Sequence, residues 1–320
     1  MALFAALVRA LDSLDVRVYR ELFHGRTGPP LESEIRKSYR SVAKRLKMDE
    51  VTIRNRIKRI QRSGFVTGLR LVVNPSLLGV RFAQLWFDVR PSTSKDDVIK
   101  ELSVLPGAVA ISDCYGSSMT LVMMCEKEVS ATKEFELIAR VSRAGSIVRA
   151  NIPFPECSVK LTLTDWRIIK AIRADPRQSY EAISVEVGVS KKTVKRRLER
   201  MIEGKAVFVI PSLHPKALDG AMIADLVVLY ANRASKPDVD KKIVSRFDEF
   251  LIRAELGDSE HGFFNLMIRN ISKATEILSW VKEQPGVGRA FVELVQDRIE
   301  LYDSFNGPID KKVAEASSPA

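Results

Sequence analysis

Cysteine and histidine are scarce in this chain, with three of each in 320 residues. Cys114, Cys125 and Cys157 lie far apart and form no CxxC pair, which excludes a disulfide scaffold, argues against a zinc site and predicts reduced thiols. His24, His214 and His261 are equally scattered. No run approaches eighteen apolar residues, so no membrane-spanning helix and no membrane partner are expected. The opening MALFAALVRALDSLD reaches Arg9 and Asp12 with no basic leader or small-residue cleavage site, which predicts no signal peptide. A Ser/His/Asp set, a metal-ligand cluster and a phosphate-cradling glycine loop are also missing. No enzyme, cofactor or metal is predicted, and the expected location is the cytoplasm or nucleoid.

Acidic residues are scarce in one place in particular. Residues 36–70 hold twelve Lys/Arg against Asp49 and Glu50, a net +10, while the whole chain carries +11 with a pI near 9.6. A charge gathered in one stretch points to a polyanionic partner. Hydrophobic residues make up 46% of the chain, enough for packed cores, so a disordered polycation is excluded.

A repeat organises the rest. Ser38–Gly79 aligns with Ser179–Gly220 without a gap at an offset of 141, matching Thr52 with Thr193, Arg56 with Arg197 and Arg59 with Arg200. Upstream, LDVRVYREL aligns with LTDWRIIKAI at an offset of 150, matching Asp15 with Asp165 and Arg17 with Arg167. The first copy therefore holds nine more residues between its first two helices, around GRTGPP. After each such unit the periodicity turns to that of strands. Strands are expected at 82–89, 108–115, 119–125 and 146–152, with helices at 95–105 and 130–143. The second copy predicts strands near 222–230, 250–256, 263–268 and 289–301, with helices near 236–248 and 271–282. That order is βαββαβ, a ferredoxin-like α+β sandwich. The fold class is α+β, with two winged helix-turn-helix domains (1–75 and 158–215) alternating with two βαββαβ domains (76–157 and 216–305). The tail 306–320 lacks a core pattern and is expected to be disordered.

Within each helix-turn-helix, 100° per residue sorts the last helix into faces. Ile53, Ile57 and Ile60 form an inward stripe, leaving Val51, Thr52, Asn55, Lys58, Arg59 and Arg62 outward. Val194, Leu198 and Met201 do the same in the second copy, leaving Lys192, Thr193, Lys195, Arg196 and Arg200 outward along with Glu199. Asp49 and Ser190 read as N-caps, and Gly188 as the turn glycine that Lys47 replaces in the first copy. Arg pairs with guanine and Asn with adenine, and Val or Thr touches a thymine methyl, while Lys and Arg neutralise phosphates. Lys44 joins this face, and Arg70, on a wing-like strand, is expected to reach phosphate or the minor groove. Double-stranded DNA is the predicted partner. The second unit, with Glu181, Glu186 and Glu199 and a net charge of only +5 over residues 190–205, is expected to contribute less.

These segments, LDSLDVRVYREL, SVAKRLKMDEVTIRNRIKRIQRSGFVTGLRLVVNPSLLG and LPGAVAISDCYGSSMTLVMMC, resemble the Lrp/AsnC (feast/famine) family of prokaryotic regulators, common in archaea. The resemblance implies transcriptional regulation, sheets that pair face to face, self-association and an amino-acid effector held by loops between strands. Tyr115 and Gly116 in the first copy and Gly257, Asp258 and Glu260 in the second occupy those loops. The same architecture also resembles the sirohaem decarboxylases, for which His261 is the one candidate. A third reading is a metabolite sensor in which only the first helix-turn-helix binds DNA.

Overall fold

The computed structural model describes residues 11–23, 38–126, 131–144, 147–248, 250–255 and 260–317. The chain opens with three helices, α1 (Ser13–Phe23), α2 (Tyr39–Leu46) and α3 (Glu50–Arg62), followed by β1 (Val66–Val73) and the short α4 (Pro75–Leu78). The next stretch is β2 (Val80–Asp88), α5 (Lys95–Ser103), β3 (Ala108–Cys114), β4 (Ser118–Glu126), α6 (Ala131–Ser142) and β5 (Ile147–Ile152). A second trio of helices follows, α7 (Leu163–Ile172), α8 (Tyr180–Val187) and α9 (Lys191–Glu203), and then β6 (Val207–Leu213). The chain ends with β7 (Met222–Tyr230), α10 (Lys236–Arg246), β8 (Leu251–Glu255), β9 (His261–Ile268), α11 (Ile271–Lys282), β10 (Val287–Glu300) and α12 (Asn306–Ser317). No helix among the described residues is long and apolar enough to cross a membrane.

Local chemistry sets both helix-turn-helix corners alike. Ser38, Asp49, Ser179 and Ser190 each accept a hydrogen bond from the backbone N–H three residues on, at 2.7–3.1 Å. Each cap is worth about 1 kcal/mol. Lys47 takes the left-handed conformation (φ 55°) that Gly188 takes (φ 75°). After the last helix the roles reverse, with Gly64 at φ 76° and Lys205 at φ 58°. Each unit thus sets one lysine where glycine is at ease. Replacing Lys47 by Gly should raise stability by roughly 0.5–1 kcal/mol, read as a higher denaturation midpoint. An unchanged or lower midpoint would show that the lysine is held there by a stabilising contact.

The strands form one eight-stranded antiparallel sheet, ordered β5-β2-β4-β3-β10-β7-β9-β8. Each half has the ferredoxin-like order, with the last strand beside the first and the second at the far edge. The two half sheets expected to face each other do so, but they are also joined edge to edge in one sheet. β10 is fourteen residues long, so Val287–Val295 pair with β7 while Val295–Glu300 pair with β3. One strand thereby joins the two halves. Alternation sends Ala83, Leu85 and Phe87 of β2 into a core that includes Val98, Leu102 and Ile138 of α5 and α6. Leu226, Val228, Phe264 and Leu266 do the same beneath α10 and α11. The opposite faces of the two halves meet, with Trp86 stacked on Phe263 at 4.6 Å between ring centroids.

Each trio of helices sits on the half sheet of the other repeat. Val18, Tyr19, Ile53 and Phe65 of the first unit share a core with Ile223, Ile252 and Met267. Trp166, Ile169 and Leu198 of the second share one with Phe82 and Val109. Arg20, only 2% exposed, donates to the carbonyls of Asp248 and Leu251 at 2.7 and 3.1 Å and pairs with the Asp248 carboxylate at 3.1 Å.

Two expectations fail here. The strands after α3 and α9 are not free wings, because β1 and β6 pair with each other, antiparallel, as a two-stranded ribbon. A strand with an open edge and an apolar face found its partner in its counterpart. Residues 306–317 are also helical rather than disordered. Ile309 is buried against the core of the second helix-turn-helix, and Asp310 pairs with Lys170 at 2.8 Å and Arg173 at 3.2 Å. A lone Ile309/Val313 pair was too short a pattern to register as a helix face. The three cysteines are free thiols, and burial pushes the Cys114 thiol up.

Candidate nucleic-acid interface

Burial of Ile53, Ile57 and Ile60 turns the opposite side of α3 to solvent. Val51 is 66% exposed, and Asn55, Lys58 and Arg62 are exposed with it, as is Lys44 on α2. Lys44, Lys58 and Arg62 make no ion pair among the described residues. A lone apolar side chain beside an amide and three unpaired cations suits a groove with phosphates at its rim. On α9, Val194, Leu198 and Met201 are buried while Lys192, Lys195 and Arg196 are exposed. This face is partly neutralised from within. Lys191 pairs with Glu181, and Lys195 lies 3.8 Å from Glu199.

Several candidate readers have other duties. The Thr52 hydroxyl donates to Asp49 Oδ2 at 2.6 Å, and the Thr193 hydroxyl bonds the Ser190 hydroxyl at 2.9 Å. Both serve their caps. Arg70 is half-buried on β1, opposite Ile210, in a cleft with Arg173, Glu300 and Asp303. Pairing of β1 with β6 places it on the ribbon rather than on a free wing.

Arg59 and Arg200 are engaged by buried aspartates. Arg59 Nη1 lies 3.1 Å from Asp12 and 3.3 Å from Asp15, and Arg56 joins the same two carboxylates. In the second unit, Arg197 and Arg200 hold Asp165 at 2.9 and 2.6 Å. α3 and α9 are thus each clamped to the first helix of their unit by two arginines, one turn apart, on a fully buried aspartate. The signal was present in the sequence, since Asp15/Asp165, Arg56/Arg197 and Arg59/Arg200 are identities shared by both copies. Burial alone would raise Asp165, but hydrogen bonds from Thr162 and Arg197 and the Arg200 charge outweigh it and hold the carboxyl low. For Asp15 burial prevails, helped by the charge of Asp12, and its pKa is raised. Asp12, despite burial, is held low by Arg56 and the Asp15 backbone. The difference arises because Asp12 stands where the second unit has Thr162, so the first clamp shares its arginines between two acids.

Of the candidate effector residues, Tyr115 is 58% exposed in the turn between β3 and β4, where Gly116 has φ 78°. Glu260 is exposed just before β9 and pairs with Arg233 at 3.2 Å. Gly257 and Asp258 lie outside the described residues. The His261 ring stacks at 6.2 Å on Phe263, and its carbonyl accepts from Lys236 Nζ at 3.0 Å. Among the described residues no cluster of His, Cys, Asp or Glu could hold a metal ion.

Comparison with known proteins bears on the second helical unit and on the fold. The AsnC-type helix-turn-helix domain matches residues 161–202, which span α7–α9. The HTH-type transcriptional regulator Ptr1 of Methanocaldococcus jannaschii is 27% identical over 126 residues, 39% of this chain and 78% of that protein. Among solved structures, the siroheme decarboxylase NirDL is 12% identical with a TM-score of 0.52, covering 94% of this chain and 98% of its own. At that identity the likeness is one of fold alone. E. coli AsnC is 17% identical with a TM-score of 0.34, covering 43% of this chain and 93% of its own. The chain therefore carries an AsnC-type helix-turn-helix domain, consistent with the Lrp/AsnC family that its sequence resembles.

Proposed function

We propose that this chain is a DNA-binding transcriptional regulator built as a tandem duplication, a two-headed pseudo-dimer in one polypeptide. The self-complementary ribbon carries this reading. Under the offset of 141, Val73 pairs with Val207, the counterpart of Val66, and Val72 with Phe208, the counterpart of Thr67. Leu69 pairs with Pro211, the counterpart of Arg70, and Arg70 with Ile210, the counterpart of Leu69. A strand that pairs antiparallel with its own repeat has the pattern of a two-fold interface. The two recognition helices are then related by an approximate two-fold, as the halves of an inverted DNA repeat are. The two sides differ in charge and in side chains, so the preferred site is an imperfect inverted repeat. A cytoplasmic location and control by a small metabolite belong to the same proposal, as does further self-association.

Fluorescence anisotropy on genomic fragments tests it. Specific binding should weaken steeply between low and physiological salt, because each neutralised phosphate steepens the log–log slope by about 0.9. A flat salt dependence, or no binding at low salt, would overturn the assignment.

The whole-chain likeness to NirDL supports a second reading, an enzyme acting on sirohaem with His261 at its site. Anaerobic titration with sirohaem separates the two, since a bound tetrapyrrole shifts its absorption bands. The regulatory reading expects no stoichiometric shift.

A further inference from the structure

The two heads are not held on the sheet in the same way. At the offset of 150, Arg20 of α1 corresponds to Lys170 of α7. Arg20 is buried against the second half sheet, donating to the carbonyls of Asp248 and Leu251, and α1 packs on β8, an edge strand. The first head is thus docked on strands. In the other half the equivalent place is taken. β3 holds the position of β8 in its repeat, but it is no edge, because Val295–Glu300 of β10 pair with it. Beyond β10 the chain fastens itself over β3. The Leu301 N–H donates to the Val109 carbonyl at 2.8 Å, and the Ser304 hydroxyl donates to that of Ala108. Phe305, 2% exposed, meets Phe82 edge-on at 5.6 Å between ring centroids. α12 then packs along α7, with Ile309 buried and Val313 half-buried against the same core. Lys170 and Arg173 find their acid there, in Asp310. β5 has no such sequel, since the chain runs from Ile152 through Pro153 to α7.

At this place the second head rests on a helix where the first rests on strands. β8 is held by a ladder of hydrogen bonds to β9. α12 is held by two apolar side chains and by part-exposed ion pairs, which add little. Segments with few buried apolar contacts open at the least cost. We infer that α12 is a releasable seat for the second head. Seated, it fixes the angle of that head to the sheet; when it leaves, the second head swings while the first stays docked. The core shared with Phe82 and Val109 persists without α12, so the freed head keeps its fold. Ile309 is the positioning residue, acting on α9 through α7. The inference deepens the regulatory reading, because the angle of one head sets the span between the two. Its test reads the heads without DNA, so its failure and the failure of that reading are distinguishable.

Distances between paired spin labels on the full chain test the seat, with Cys157→Ser added because Cys114 and Cys125 are already buried. One pair, Val104→Cys with Val185→Cys, spans the first half sheet and the second head. The other, Val51→Cys with Ile271→Cys, spans the first head and the second half sheet. All four side chains are exposed. With α12 intact, each pair should give one narrow distance peak. Ile309→Asp should strip α12 of hydrogen-exchange protection and broaden the Val104–Val185 peak into a wide distribution. The Val51–Ile271 peak should not change, and α7–α9 should stay protected. Ile309→Leu, which keeps the apolar bulk, should leave both peaks narrow. Ile309→Ala with Val313→Ala should broaden the same peak and serves if Ile309→Asp does not fold. A Val104–Val185 peak that stays narrow in a folded variant, equal broadening of both pairs, or loss of α7–α9 protection in both variants would overturn the inference.

Discussion

Asp165→Ala should melt the second helix-turn-helix unit ahead of the rest of the chain, at a cost of about 2–4 kcal/mol at neutral pH. The carboxylate is fully buried. It holds Arg197 and Arg200, and it closes the first turn of α7 by accepting from the Thr162 N–H at 2.8 Å. Removing it leaves two arginines facing a buried gap and a helix start without its cap. Amides of α7–α9 should lose hydrogen-exchange protection, and Trp166 fluorescence should report an earlier transition in urea. Because the native pKa of Asp165 lies below its unfolded value, its stabilisation is full above about pH 4 and is lost as pH falls through the native value. The gap between variant and wild type should therefore close in acid. For Asp15 the sign reverses. Its raised pKa means that the folded unit takes up a proton more readily than the unfolded chain. The first unit, balanced between Asp15 and Asp12, should thus show the weaker acid dependence. Equal loss of protection in both units at low pH would contradict the two clamps as described.

The second large effect is on DNA. Lys58→Ala with Arg62→Ala should lower affinity about ten- to a hundredfold at physiological salt and reduce the salt slope by about 2. Lys195→Ala with Arg196→Ala should cost less, because Lys195 is already drawn toward Glu199 and the surrounding charge is lower. Asn55→Ala should instead relax preference at one base position and leave the slope unchanged. Equal losses from the two double variants would mean that the heads are equal. Arg59 and Arg200 belong in neither set, since removing them loosens the clamps and confounds binding with unfolding.

Much of this was legible before the structure. β7 and α11 fall within the expected limits, and β2, β4, β9 and α5 differ from expectation by two residues or fewer at each end, because apolar alternation and helical stripes are strong local signals. What the sequence concealed was pairing. That β1 meets β6, and that β10 spans both half sheets, depends on contacts more than a hundred residues apart, which no local period records. The clamps were visible only as repeat identities, and charge on a helix face does not say whether an arginine reaches outward to phosphate or back to a buried aspartate.

The proposed two-headed arrangement, with unequal heads about an approximate two-fold, requires a paired DNA site. Selection of bound duplexes from a random library by the full-length chain tests it most directly. An enriched motif of two inverted half-sites, spaced by about one helical turn or a multiple of it, is expected. The half-sites should be unequal, and Asn55→Ala should degrade the stronger one. A single half-site with no partner, a direct repeat, or a perfectly symmetric palindrome unaffected by Asn55→Ala would contradict it.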